Sequence, residues 1–165
     1  MDKISEKVYL GNMLSALDEA NLIQNNIKSV LSCNGCFDLK YKDTSIKQKI
    51  YDINDGDNTN IIKYFKEAIK FMDESDKVLV HCLGGISRSA TLVIAYFMWK
   101  NKMSFEEGFD HVLEHRIVSP NPGFRKQLMI FENKLKESNY DLDKIDFQSI
   151  EWPPKEGSKY YFEDL

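Results

Sequence analysis

The chain predicts an α/β sandwich, a central twisted, mostly parallel sheet flanked by helices. Three observations carry that expectation. Short apolar runs of strand length alternate with segments of helical periodicity. One run, Val78-Leu79-Val80, is continuously apolar, as a strand buried on both faces must be. A glycine-bearing loop follows it, and then a segment, residues 89–100, that is apolar nearly all round, as a buried helix would be.

In chain order, residues 7–10 and 28–33 read as strands, with one helix over residues 15–25 between them. Residues 49–54 read as a further strand. Ile61, Phe65, Ala68, Ile69 and Met72 fall on one helical face. The run Ser104-Phe105-Glu106-Glu107 is a capping box that opens a helix to about His115. Asn121-Pro122 caps and starts the last helix, with Phe124, Leu128, Phe131 and Leu135 in register. In a parallel sheet of this kind, the loop after Val78-Leu79-Val80 sits at the carboxyl edge of the central strand, where such folds place their sites.

That loop carries the chemistry. It runs His81-Cys82-Leu83-Gly84-Gly85-Ile86-Ser87-Arg88-Ser89, with a cysteine and an arginine at its two ends and glycines where the backbone must turn. A strand, a loop and a helix in succession aim backbone N–H groups and a positive helix end at an anion. A thiol there ionises easily. Arg88 meets a tetrahedral oxyanion with two parallel hydrogen bonds, which lysine cannot do. The residues suggest attack of a Cys82 thiolate on a phosphate ester held by the loop and Arg88. Of the 22 Lys and Arg residues only Arg88, Arg116 and Arg125 are arginines. A chain so given to lysine keeps arginine where planar geometry is wanted.

Composition narrows the alternatives. A chain of 165 residues is long enough for one domain with a real core. A net charge of −4 argues against non-specific nucleic-acid binding, which needs a basic face. No apolar run is long enough to span a bilayer. Met1-Asp2-Lys3 opens no signal core, and Asp2 stands where N-myristoylation needs glycine. Three cysteines make no disulfide framework, so the expected compartment is a reducing one, cytoplasm or nucleus.

The string His81-Cys82-x-x-Gly85-x-x-Arg88 resembles the signature of the cysteine-dependent protein tyrosine phosphatases. The continuation Ser87-Arg88-Ser89 resembles their small dual-specificity group. The resemblance covers residues 4–135. Val8-Tyr9-Leu10-Gly11 looks like the family's opening strand, and Pro120-Asn121-Pro122-Gly123-Phe124 with Gln127-Leu128 like the start of its last helix. It implies a phosphotyrosine-phosphatase-like fold and hydrolysis of phosphotyrosine and phosphoserine/phosphothreonine in a phosphorylated protein substrate. The route would be a phosphocysteine, with neither metal nor cofactor. Cys82 would be the nucleophile, and Leu83, Gly84, Gly85, Ile86, Ser87 and Arg88 would hold the phosphate. Ser89 would stabilise the sulfur as it leaves, His81 would order the loop from behind, and Asn121 would lie near it. Gly84 departs from the alanine or acidic residue common in the family. Ser32 stands where many relatives carry a bracing asparagine, which leaves that brace open.

The leaving oxygen needs a proton, so a carboxylic acid must face the pocket. Asp52, Asp55 and Asp57 crowd the expected region. Asp55 is the choice, because it follows the strand and precedes Tyr64-Phe65 at the distance the family shows. Asp57 is the runner-up, and Asp52 points back along the strand.

Residues 1–138 read as the catalytic domain. Residues 139–165 form an acidic, aromatic extension bearing Trp152, Tyr160, Tyr161 and Phe162. The extension reads either as a tail packed on its own domain or as a docking or autoinhibitory segment. Cys33 and Cys36 read as packed strand-end residues, with a disulfide to an oxidised Cys82 as the alternative. His111, Glu114 and His115 formally match a zinc-peptidase pattern, and a solvated helix face is the better reading. Rival functions are a phosphoinositide phosphatase and a non-catalytic phosphoprotein-binding adaptor.

Overall fold

The computed structural model describes residues 1–34 and 39–157. Five strands form one sheet in the order β1-β2-β5-β3-β4: β1 (Asp2–Lys3), β2 (Val8–Gly11), β3 (Ser29–Ser32), β4 (Lys47–Ile50) and β5 (Val78–His81). The three pairings β2–β5, β5–β3 and β3–β4 are parallel, and only the short β1 runs antiparallel, against β2.

Side-chain alternation along the strands builds a core on each face. Val8 and Leu10 of β2, Leu31 of β3, and Val78 and Val80 of β5 point to one face. There they meet α3 (Phe65–Glu74), α4 (Arg88–Lys100), α5 (Phe105–Leu113) and α6 (Pro122–Glu137). Tyr9, Val30 and Leu79 point to the other, smaller core with Ala16 and Leu22. These last two belong to α1 (Met13–Leu17) and α2 (Glu19–Gln24). Central β5 is thus covered on both sides, as its unbroken apolar run requires.

Helix α4 is the axis of the larger core, with ten consecutive residues, Ser89 to Met98, buried. The Ser104–Glu107 capping box forms in both directions, and Asn121 caps α6 with Pro122 in the first turn, as their sequences predict. Two expectations are corrected. The helix over residues 15–25 is two helices, because Asp18 leaves helical geometry (ψ 75°) to cap the second by accepting from Asn21 N. The strand placed at residues 49–54 is shifted back to Lys47–Ile50. Beyond it Tyr51 and Ile53 still alternate inward while Asp52 points to solvent, so the pattern continues past the end of the strand pairing.

The segment after α6 packs back on its own domain. Leu142, Ile145, Phe147 and Ile150 are buried in the larger core, and Trp99 Nε1 donates to Tyr140 O at 3.1 Å. Tyr160, Tyr161 and Phe162, like Cys36, lie outside the described residues.

Candidate active site

The strands β2, β5 and β3 end side by side, with Gly11 and Ser32 both opposite His81. The loop from Cys82 to Ser87 springs from that edge and turns into α4, so it stands over the positive end of a thirteen-residue helix. At its tightest point Gly85 adopts φ +67°, and a Cβ there would fall 2.4 Å from Gly11 O. Only glycine meets both conditions. Gly84 is different, since a Cβ would meet nothing nearer than Ile86 Cδ1 at 3.7 Å. Of the two glycines in the loop, one is thus required.

Cys82 is 2% exposed at the floor of this loop. Its sulfur accepts from Gly85 N at 3.2 Å and from the Ser89 hydroxyl at 3.1 Å. Burial pushes the thiol up, but the Ser89 hydroxyl and amide, the Gly85 amide and the Arg88 charge outweigh it. The net result is a thiol that ionises more easily than an ordinary one. Ser89 is not the helix cap. Ser87 holds that position, which leaves the Ser89 hydroxyl for the sulfur.

Arg88 Nη1 donates to Ile53 O at 3.0 Å, which fixes one arm of the guanidinium. Its Nε is buried with no hydrogen-bond partner among the described residues. A buried guanidinium N–H left without a protein acceptor fits an oxyanion in the loop.

His81 lies fully buried behind the loop, its Nδ1 3.2 Å from Cys82 O and its Nε2 2.6 Å from Ser32 Oγ. A carbonyl can only accept, so Nδ1 carries the proton and Nε2 takes the serine's. Burial lowers the histidine's pKa, which keeps it neutral. Ser32, where an asparagine brace is usual, braces through this histidine instead.

Asp55 reaches the loop across the mouth. Its Oδ1 accepts from Ser87 Oγ at 2.7 Å and from Asn121 Nδ2 at 2.9 Å, while Asn121 N donates to Ser87 Oγ at 3.0 Å. Asp57 is placed otherwise. Its backbone is pressed against Gly123, where a Cβ would fall 2.0 Å from Asp57 O, and that oxygen accepts from Trp152 Nε1. Gln127, fully buried in α6, binds the end of the same loop, accepting from Ile61 N and Ile62 N and donating to Thr59 O.

Two residues beside the site were not placed there by the sequence. Arg116 donates from Nε to Gly85 O and from Nη2 to Gly84 O, and its Nη1 pairs with Asp2 at 2.9 Å. It binds two successive loop carbonyls, and the Gly85 amide between them donates to the Cys82 sulfur. The scarcity of arginine was the one available hint. Trp152 is the other, and an aromatic tail residue gives no sign of the loop it will meet.

The remaining candidates stand apart. Cys33 Sγ donates to His81 O at 3.1 Å, and burial pushes its thiol well up, so it is held protonated. His111 packs its ring on Phe97, and His115 Nδ1 lies 3.0 Å from His111 O. Among the described residues no three His, Cys, Asp or Glu side chains are grouped to hold a metal. No described helix is long and apolar enough to cross a membrane.

The family model for the dual specificity phosphatase catalytic domain matches residues 8–134. The chain is 41% identical over 140 residues to MAP kinase phosphatase with leucine-rich repeats protein 1 of Dictyostelium discoideum, a match covering 82% of this chain and 16% of that protein. It is 36% identical over 137 residues to human dual specificity protein phosphatase 22, covering 80% of this chain and 73% of that one. The crystal structure of DUSP15 superposes with a TM-score of 0.77 at 30% identity, over 84% of this chain and 90% of its own. The chain spans only about a sixth of the Dictyostelium relative's length. Because the matched segment runs from β2 through most of α6 and takes in Asp55, Cys82, Arg88 and Asn121, the chain belongs to the dual specificity phosphatase family.

Proposed function

We propose that the protein is a dual-specificity protein phosphatase that cleaves phosphotyrosine and phosphoserine or phosphothreonine through a phosphocysteine. The Cys82 thiolate attacks phosphorus while Arg88 and the amides of residues 83–88 hold the equatorial oxygens. The ester P–O bond breaks, and Asp55 gives its proton to the departing oxygen. Asp55, now a carboxylate, takes a proton from water. The water oxygen attacks phosphorus, the S–P bond breaks, and Ser89 stabilises the returning thiolate. The nucleophile, the proton carrier and the positive charge all come from side chains and backbone, so the reaction asks for no metal.

The observation that carries this reading is the pairing of a sulfur held by the Gly85 amide and the Ser89 hydroxyl with a buried Arg88 Nε that has no described protein acceptor. The first favours a thiolate nucleophile, and the second leaves a buried cationic N–H for an oxyanion. The loop Leu83–Ser87 contains no lysine, which disfavours phosphoinositide headgroups. An adaptor has no need of both the thiol and the fork. Dual specificity fits a short chain with little room for a loop that would deepen the pocket for phosphotyrosine alone. Residues 1–138 form the catalytic unit in this reading, 139–165 its extension, and a reducing compartment such as the cytoplasm or nucleus suits the thiol.

Hydrolysis of a small aryl phosphate and of phosphotyrosyl and phosphothreonyl peptides, in chelator and reductant, tests the reading. Turnover in wild type that disappears in Cys82→Ser supports it. A folded wild type that binds phosphopeptide without turnover would give the adaptor reading the site instead.

A further inference from the structure

Of the eight large apolar side chains that stand exposed among the described residues, four belong to the Cys82 loop or to the segments hydrogen-bonded to it on either flank. Leu83 and Ile86 belong to the loop itself. Met13 N donates to Leu83 O at 3.1 Å, which brings the first turn of α1, with Leu14 at 73% exposure, beside Leu83. On the other flank Ser119 N donates to Ile86 O at 2.9 Å and Arg116 binds Gly84 O and Gly85 O. Ile117, 84% exposed, lies between those two anchors. Isolated exposed apolar residues need no explanation, but four gathered on one loop and its two flanking segments mark a contact surface. The arginines around it are already engaged. Arg116 is spent on loop carbonyls and Asp2. Arg125 donates to Pro120 O and Ser119 Oγ and lies over the Phe109 ring. Arg88 is the one arginine with a buried N–H, its Nε, that has no acceptor among the described residues.

We infer that this rim, Leu14 and Leu83 on one side and Ile86 and Ile117 on the other, selects substrates whose phosphorylated residue is flanked by apolar side chains and carries no second phosphate beside it. The inference rests on the phosphatase reading and names the substrate class for the same pocket. The occupant is the substrate's own chain, because anything whose phosphate reaches Cys82 must lay its neighbouring residues across this rim.

The test compares kcat/KM on three phosphotyrosyl peptides: one flanked by leucines, one by glutamates, and one with a phosphothreonine two residues away. An aryl phosphate too small to touch the rim serves as control. Wild type should prefer the leucine-flanked peptide by about tenfold or more. Ile117→Asp and Leu14→Asp should erase that preference with aryl phosphate turnover unchanged. A preference for the acidic or doubly phosphorylated peptide, or one unmoved in both variants, overturns the inference. Absence of aryl phosphate turnover overturns the phosphatase reading, and the rim's selectivity falls with it.

A separate observation concerns the acid loop. Trp152 lies beyond the segment shared with the family, 8–134, yet its Nε1 donates to Asp57 O at 2.8 Å, two residues from Asp55. The tail that carries it is anchored before it: Leu142, Ile145, Phe147 and Ile150 are buried, and Asp143 pairs with Lys66 and Lys70. Phe147 also stacks near Phe131 of α6, at 6.1 Å between ring centroids. The geometry assigns Trp152 as a positioning residue that ties the extension to the loop presenting Asp55.

Trp152→Phe keeps the ring and removes the N–H. It should lower kcat several-fold on phenyl phosphate and phosphothreonyl peptide, whose leaving groups need a proton, with little change on an aryl phosphate of low leaving-group pKa. In an Asp55→Asn background it should have no further effect, since the acid it positions is gone. Equal losses on all substrates, the same loss with and without Asp55, or no loss at all overturns the assignment. The leaving-group comparison is internal to one protein sample, so a lowered folded fraction does not imitate the expected result.

Discussion

The Ser89 hydroxyl donates to the Cys82 sulfur across 3.1 Å from the first turn of α4, on a thiol that the Gly85 amide also holds. Burial raises that thiol's pKa, and the hydrogen bonds and the Arg88 charge bring it to a net lowering. Ser89→Ala removes one of the lowering contributions, so the pKa moves up. Below its pKa the thiolate fraction falls about tenfold per pH unit. Iodoacetamide should therefore alkylate Cys82 more slowly in the variant on the acid side, and at the wild-type rate once both are fully ionised. Turnover should slow most in phosphocysteine hydrolysis, seen as a larger product burst relative to the steady rate. Alkylation profiles that coincide at every pH would show that the hydroxyl does not hold the charge.

Asp55 and Asp57 are separated by function in the geometry, one bound to Ser87 and Asn121, the other anchored through its backbone. Asp55→Asn preserves an acceptor for Ser87 and Asn121 but has no proton to give. It is expected to lose on the order of 10²- to 10⁴-fold in kcat on substrates with poor leaving groups. Asp57→Asn leaves the Asp57 O bond to Trp152 in place and is expected near wild type. Similar losses at both positions, measured by steady-state kinetics over a leaving-group series, would remove Asp55 from the mechanism.

Arg116 binds two successive loop carbonyls with a planar fork, and Arg116→Lys keeps the charge while losing that geometry. Charge-assisted hydrogen bonds of this kind contribute roughly 1.5–3 kcal/mol each. The lysine variant should show a lower unfolding midpoint and weaker inhibition by inorganic phosphate and vanadate, which read the loop directly. Asp2→Asn is expected to do much less, since Asp2 is 44% exposed and such pairs contribute about 0–1 kcal/mol. Inhibitor affinity unchanged in Arg116→Lys would mean that the loop keeps its shape unaided.

The parts of this molecule that were legible in the sequence are those specified locally. The unbroken run Val78-Leu79-Val80 announced a strand covered on both faces, and the Ser104–Glu107 box and Asn121-Pro122 announced helix starts that form as written. The phosphate loop is nearly contiguous, so Cys82 and Arg88 stand in one short string, while the role of Ser89 came with the family resemblance. Asp55 came from the same resemblance, which sets the acid at a similar distance before an aromatic pair, here Tyr64-Phe65. What stayed hidden depends on contacts between distant segments. Arg116 meets the loop from 31 residues away and Asp2 from 114, and Trp152 meets Asp57 from 95. The break at Asp18 was missed because its residue type serves as well in a helix as at a cap, and only the ψ angle decides.

Gln127 shows how a residue visible only as a family marker acquires a physical task. Fully buried, it accepts from Ile61 N at 2.9 Å and Ile62 N at 3.1 Å, and donates to Thr59 O at 2.9 Å and Gly123 O at 3.2 Å. One amide side chain thus closes the acid loop onto α6. Gln127→Met fills similar space but leaves two backbone amides without acceptors, at about 1–3 kcal/mol each. Gln127→Glu keeps an acceptor for those amides and turns a carboxylate oxygen against Thr59 O and Gly123 O. Burial and the two carbonyls should raise the new carboxyl's folded pKa above its unfolded value. The deficit is then largest above the folded pKa and shrinks as pH falls through it, because the protonated carboxyl can donate where the amide did. Denaturant unfolding at neutral and mildly acid pH should show Glu approaching wild type at the lower pH while Met does not. No deficit for Glu at either pH, with Met still destabilised, would mean that the acceptor side of Gln127, and not its donor side, holds the loop.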